Sequence, residues 1–259
     1  MSRAFFDHTP SNWEDLELMV YQAFQEMGYE AHRNYKLETV RGASAIDVYA
    51  VKTSAPIPTV VLCECKYWNK SIPQNVVHGF RSVCADSGAH FGLIISKKGF
   101  QSGAGQAREA TNVHLVDFRQ FQDTFFSDWQ TGAMMILSMM HDQLLPIFRA
   151  SMDKQENGLD LIAKEKIEDV DVWKKYSIFF GHDGRYSSYF IENNGFPTTI
   201  SDPRGSPTRT SEITVKSHRE YFEVARRALI DATYHFNLPK LYFSEDGKVL
   251  DRKLWPRLN

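Results

Sequence analysis

The chain has 259 residues, 42% of them hydrophobic and 24% charged, with a formal net charge of -2. That length holds one large domain or two small ones. The charge excludes a protein that coats nucleic acid by bulk electrostatics, which would be basic; contact with a polyanion would need a local patch.

The three cysteines, Cys63, Cys65 and Cys84, are too few and too clustered for a disulfide framework. They read as buried thiols in a reducing compartment, and no paired spacing suggests zinc. Met1 to Pro10 is polar and lacks the apolar core of a signal peptide. Gly132 to Met140, the most apolar stretch, is too short to span a bilayer. The expectation is a cytoplasmic protein with no membrane partner.

In chain order, Ser11 or Asn12 caps a helix running to about Met27. Trp13, Leu16, Val20, Phe24 and Met27 form its apolar face, and Gly28 stops it. Ala45 to Lys52 reads as a strand, Thr53 to Pro58 as a turn, and Thr59 to Tyr67 as a central strand, apolar until Glu64. Ile72 to Asp86 reads as a helix with Pro73 in its first turn and Val76, Val77, Phe80 and Val83 on one face. His90 to Ser96 is a third strand. Gly99 to Gly105 is a bend leading to a short helix at 107–111, and Val113 to Asp117 is a fourth strand. Strands alternating with helices predict an α/β domain with a partly parallel sheet.

The pattern changes after Phe118. Phe121 to Met152 predicts one or two long Met-rich helices, followed by a polar break at 153–158. Strands are expected at 172–180 and 186–191, and a proline-bearing loop with Arg204 and Arg209 at 193–211. A helix follows from Ser217, where Ser217 and Glu220 match a capping box, and 241–250 reads as a hairpin. The expected division is an α/β domain over 1–122 and an α+β domain beginning with a long helix over 123–259.

Leu62-Cys63-Glu64-Cys65-Lys66 carries the chemistry. Side chains alternate along a strand, so Leu62, Glu64 and Lys66 share one face while Val61, Cys63 and Cys65 point the other way. An acid and a lysine on an otherwise apolar strand are costly unless they are paired or bind a metal. Asp47, between Ile46 and Val48 on the preceding strand, meets Glu64 if the two strands pair in the right register. Two converging carboxylates, with the backbone carbonyl of Cys65, suit a hard divalent cation. Such a cation activates water against a phosphoryl centre, and Lys66 stabilises the developing charge. A surface ion pair has the same residue types. The surroundings favour the metal site.

Those surroundings resemble the Mrr-type restriction endonuclease domain of the PD-(D/E)xK superfamily over Glu17 to Asp117. The resemblance runs through Glu17, Gly28-Tyr29, Gly42, Ile46-Asp47-Val48 and Glu64-Cys65-Lys66-Tyr67-Trp68. It continues through Gly92-Leu93-Ile94-Ile95-Ser96, Gly99-Phe100, Ala104, Ala107 and Val113 to Asp117. It implies an αβββαβ restriction-endonuclease-like core. It also implies Asp47 and Glu64 as ligands of Mg²⁺ or Mn²⁺, Lys66 as a catalytic residue, and Glu17 assisting the metal from the first helix. Many such members carry Gln where this chain has Glu64, and the usual Gly-x-Gly before the Asp is here Gly42-Ala43-Ser44-Ala45.

Lys70, Gln74, Lys97 and Lys98 flank the strand ends and form a candidate nucleic-acid rim, although each also reads as an ordinary solvated side chain. Tyr67-Trp68 reads either as packing or as a stacking platform. The expected function is a Mg²⁺-dependent DNA endonuclease in bacterial restriction or phage defence. It would be a homo-oligomer through its C-terminal domain or gated by that domain, with a defence-system protein as a further expected partner. The alternatives are a structure-specific repair nuclease or junction resolvase, and a non-catalytic binding subunit on a nuclease fold.

Overall fold

The computed structural model describes residues 4–53, 57–102, 111–157, 195–202 and 212–235. The chain forms two compact units, Met1–Gly132 and Ala133–Trp255.

In the first unit, α1 spans Trp13–Glu26, with Asn12 accepting the Asp15 N–H as its N-cap. Of the two candidate caps, Asn12 takes this place, while Ser11 bonds the Asp15 carboxylate. Strands β1 (Glu30–Thr39), β2 (Gly42–Lys52) and β3 (Thr59–Lys66) follow, then α2 (Gln74–Ser87), β4 (Phe91–Ser96) and β5 (Val113–Asp117). The sheet order is β1-β2-β3-β4-β5. The first three strands are antiparallel, and β3, β4 and β5 are parallel.

β1 is a strand where periodicity alone predicts none, at Glu30–Thr39. Its inward positions are Ala31, Arg33, Tyr35, Leu37 and Thr39, alternating with exposed Glu30, His32, Asn34, Lys36 and Glu38. Arg33 interrupts the apolar alternation, and charges on the outer face suit a sheet edge. β2 also starts earlier than expected, at Gly42 rather than Ala45. The two strands join through a tight turn in which Gly42 has φ 124°, a value that L side chains rarely adopt.

α2 packs on the sheet face that carries Leu62 and Ile94, joined there by Ile72, Val77, Phe80 and Cys84. Gly92 allows the approach: a Cβ there would lie 2.6 Å from the Cys84 sulfur. Leu16, Met19, Val20, Ala23 and Phe24 of α1 are buried as well. All three thiols are free and buried.

Helix α3 spans Phe118–Asn157. Within the first unit its opening turns pack tightly. Gln122 accepts from the backbones of Phe5 and Phe6, Phe121 and Phe125 meet Phe24, and Trp129 donates to Glu26 at 2.6 Å. Gly132 lies where a Cβ would meet the Glu26 carbonyl at 2.1 Å.

The polar break expected at 153–158 is not a break as far as Asn157: the backbone stays helical, since Asp, Lys, Gln and Glu do not by themselves stop a helix. In the second unit, β6 (Thr198–Ser201) pairs antiparallel with β7 (Glu212–Val215), so part of the expected loop 193–211 is strand. The Thr-rich, β-branched segment after Pro197 explains it. Helix α4 spans His218–His235, with Ser217 accepting the Glu220 N–H. The Glu220 carboxylate reaches back to Lys216 N rather than to Ser217 N. The expected strands at 172–180 and 186–191, the hairpin at 241–250, the helix at 107–110, Ala104, Arg204 and Arg209 lie outside the described residues. Among the described residues no helix is long and apolar enough to cross a membrane.

Candidate active site

The site forms where two ladders break at Asp47. The β1–β2 register runs Arg33↔Val48 and then Tyr35↔Ile46, leaving Asn34 and Asp47 unpaired between them. Asn34 has φ 50°, a left-handed value that Asn tolerates better than most residues. The β2–β3 ladder ends at Val48↔Cys63. One further step of that register would place Asp47 opposite Glu64. Instead of a backbone carbonyl, the Asp47 carboxylate takes the next free donor, the Cys65 N–H, at 2.7 Å. The two strands therefore diverge with an acid holding the gap.

Glu64 and Lys66 follow on β3, both part-buried, and form an ion pair. The Lys66 ammonium also lies 4.0 Å from Asp47 Oδ2. One cation thus stands between the two carboxylates. Burial, and then the Asp47 charge, raise the Glu64 carboxyl above its ordinary value against the pull of Lys66.

Glu17 enters from α1. It is buried, and its carboxylate accepts from Arg33 Nη2 at 3.3 Å. Burial first and Asp47 second raise its pKa, opposed by Arg33 and Lys66. Three carboxylates here face two cations. Arg33 is the residue that sequence reasoning missed. It lies on β1, sixteen positions from its partner, and an arginine at an inward position of an alternating segment was the available signal.

Among the described residues no group of three or more His, Cys, Asp or Glu side chains is gathered around a metal position. The donors present are the Asp47 and Glu64 carboxylates, with the Cys65 carbonyl on the same strand end. Their chemistry fits a hard divalent cation, because the pair already draws positive charge between its members.

The expected rim residues differ in placement. Lys70 Nζ lies 5.8 Å from the centroid of the exposed Trp68 ring, on which Lys66 also converges at 5.7 Å. Lys97 Nζ lies 3.9 Å from the Tyr67 ring centroid and donates to Asn69 Oδ1 at 2.9 Å. Lys98 is exposed, and its carbonyl accepts from Ser71 Oγ. Gln74 is exposed on the first turn of α2.

Residues 10–125 match the family model described as restriction endonuclease, Mrr_cat. The first unit carries an Mrr-type restriction endonuclease domain. The match covers a little under half of the chain and includes every residue of the acid–lysine centre. No protein of curated function matches the sequence. Three solved structures overlap part of it. One is a protein of unknown function, AF1548, at 19% identity and TM-score 0.37, over 41% of this chain and 59% of that one. Another is the MspJI restriction endonuclease in complex with a 27-mer oligonucleotide, at 17% identity and TM-score 0.32, over 45% and 28%. The third is the DNA modification-dependent restriction endonuclease AspBHI, at 13% identity and TM-score 0.28, over 49% and 40%. The chain therefore spans less than two thirds of each. Residues 10–125, which match that family model, contain a mixed five-stranded sheet with helices α1 and α2.

Proposed function

We propose that this protein is a Mg²⁺-dependent endonuclease that hydrolyses DNA phosphodiester bonds, acting in restriction or phage defence. The observation that carries the reading is the convergence of Asp47 and Glu64 on Lys66 at the point where β2 and β3 diverge, inside the matched Mrr-type domain.

Asp47 and Glu64 would hold the cation, with the Cys65 carbonyl as a further oxygen donor. When bound, Mg²⁺ supplies Lewis acidity and a water of lowered pKa. The Cys65 N–H fixes the Asp47 carboxylate, so its orientation is set before any ligand arrives. Lys66, released from Glu64, holds positive charge beside the attacked phosphorus. Arg33 keeps the buried Glu17 carboxylate compensated next to Asp47. Glu17 then acts on the site through its charge. Lys70, Gln74, Lys97 and Lys98 would form the nucleic-acid rim, with lysine charge local to the strand ends despite the net charge of -2.

The residues beyond the Mrr-type domain would form an α+β domain that assembles copies of the chain or gates the nuclease, with a defence-system protein as a further partner. The setting would be the cytoplasm.

The test is incubation of the purified protein with plasmid DNA and Mg²⁺, with and without EDTA, beside Lys66→Ala. The expected outcome is metal-dependent cutting lost in the variant. Equal cutting by both proteins would sink the assignment.

A further inference from the structure

Beside the acid–lysine centre the first unit holds a cavity of about 310 Å³. Topology sets its position. Tyr67 follows the last residue of β3, Lys97 follows β4, and Phe118 follows Asp117 at the end of β5. Ligands of open sheets gather outside the carboxyl ends of parallel strands. The volume lies at the low end of the roughly 300–1,000 Å³ usual for small-ligand sites. It accommodates one compact group and cannot hold a duplex.

The walls are chemically sorted. Leu16 and Phe118 form an apolar floor. Tyr67 gives an aromatic wall, its hydroxyl fixed by donation to the Pro10 carbonyl at 3.1 Å. The rim carries Lys97, over the Tyr67 ring, and Arg119, which is exposed and only loosely paired with Asp123 at 3.9 Å. The single acid of the lining, Asp117, is engaged as the cap of α3: its carboxylate accepts the Gln120 N–H at 2.7 Å. An aromatic wall, an apolar floor and two cations form the recognition set for a base with its phosphate. The cavity is coupled to the centre, because Tyr67 adjoins Lys66 and the Lys97 N–H donates to the Lys66 carbonyl at 3.0 Å.

We infer that this cavity receives one unpaired nucleotide of the DNA strand adjoining the phosphodiester at Lys66, its base against Tyr67 and Phe118 and its phosphate on Lys97 and Arg119. The inference rests on the DNA endonuclease reading. A paired base must first leave its stack, whereas an unpaired one enters without that cost.

The experiment uses the full chain with Ca²⁺ in place of Mg²⁺. It compares two labelled DNAs by fluorescence anisotropy: a fully paired duplex and the same duplex with one unpaired nucleotide. The wild type should prefer the second by about tenfold, the scale of one base stacked on an aromatic ring. Lys97→Gln and Tyr67→Leu should each bring the ratio of affinities close to one, whatever they do to binding as such. Tyr67→Phe, which keeps the ring, should retain the preference and guards against misfolding of the leucine variant. Equal affinities in the wild type, or a preference that survives in both variants, would overturn the assignment. So would Lys97-dependent binding of free dAMP with the two duplexes equal, which would give the cavity to a free nucleotide. Plasmid cleavage with Mg²⁺ is scored separately. A preference without cleavage keeps the cavity and removes the endonuclease reading, and cleavage without a preference does the reverse.

Discussion

Replacing Asp47 separates its structural part from its chemical one. Its carboxylate accepts the Cys65 N–H at 2.7 Å, a donor with no backbone partner across the diverging strands. Asp47→Asn removes the charge but keeps an oxygen that accepts this bond, whereas Asp47→Ala removes both. Hydrogen bonds to charged groups contribute about 1.5–3 kcal/mol, and leaving a buried donor unmade costs about 1–3 kcal/mol. The Asp47 side chain is 23% exposed, so water replaces part of the loss and the lower half of the range applies. Relief of the repulsion on Glu17 and Glu64 is common to both variants and cancels between them. Asp47→Ala should therefore be less stable than Asp47→Asn by about 1–2 kcal/mol. In a domain of this size that is roughly 3–6 °C in Tm. Both variants should lose cleavage, and Mg²⁺ should raise the Tm of the wild type but of neither variant. Thermal melts with and without Mg²⁺, beside plasmid cleavage, read all three quantities. Equal melting of the two variants would refute the structural role, and cleavage by Asp47→Asn would refute the chemical one.

Without metal, the protein should gain stability on mild acidification through Glu17 and Glu64. Burial raises both pKa values above the ordinary 4.5, so their favourable contribution is full below 4.5 and is lost as pH rises through the folded values. Melts in EDTA across that window should show the wild type gaining on Glu17→Gln/Glu64→Gln as pH falls, and a constant difference would contradict this. Gly92→Ala places a Cβ 2.6 Å from Cys84 Sγ and 3.0 Å from Phe80 and Val113. It should cost about 1–3 kcal/mol in urea unfolding, and Cys84→Ala in the same chain should recover part of that.

Apolar rhythm made α1, β3, α2, β4 and β5 legible, because each buries a continuous face with a period of its own. β1 lacked that rhythm: Arg33 occupies an inward position, and the outward residues are charged or polar. The types of the central residues were legible too, since Glu64 and Lys66 stand out on an apolar strand. Their meeting with Asp47 was not, because it depends on the Val48↔Cys63 register and on the ladder ending there. The family resemblance supplied the third strand that composition concealed. Glu17 could be placed on a helix, but its partner could not, since no local pattern links positions 17 and 33. Beyond Phe118, helix propensity carried α3 through a polar stretch that had suggested a stop, and β-branched residues made a strand inside an expected loop.

The thiols on β3 bear on which metals the centre admits. Cys63 and Cys65 flank Glu64, yet they point to the opposite face, and burial raises both far above the usual thiol value. Cys84, on α2 over the face that carries Leu62, is pushed up to about 12 by burial and then by the Glu64 charge. Soft ions such as Cd²⁺ bind sulfur, and strand alternation turns the Cys63 and Cys65 side chains to the face opposite Glu64. The strand thus places sulfur on both sides of its acid in sequence while turning those two sulfurs away from it in space, which leaves oxygen as the donor type that Glu64 and Asp47 present together.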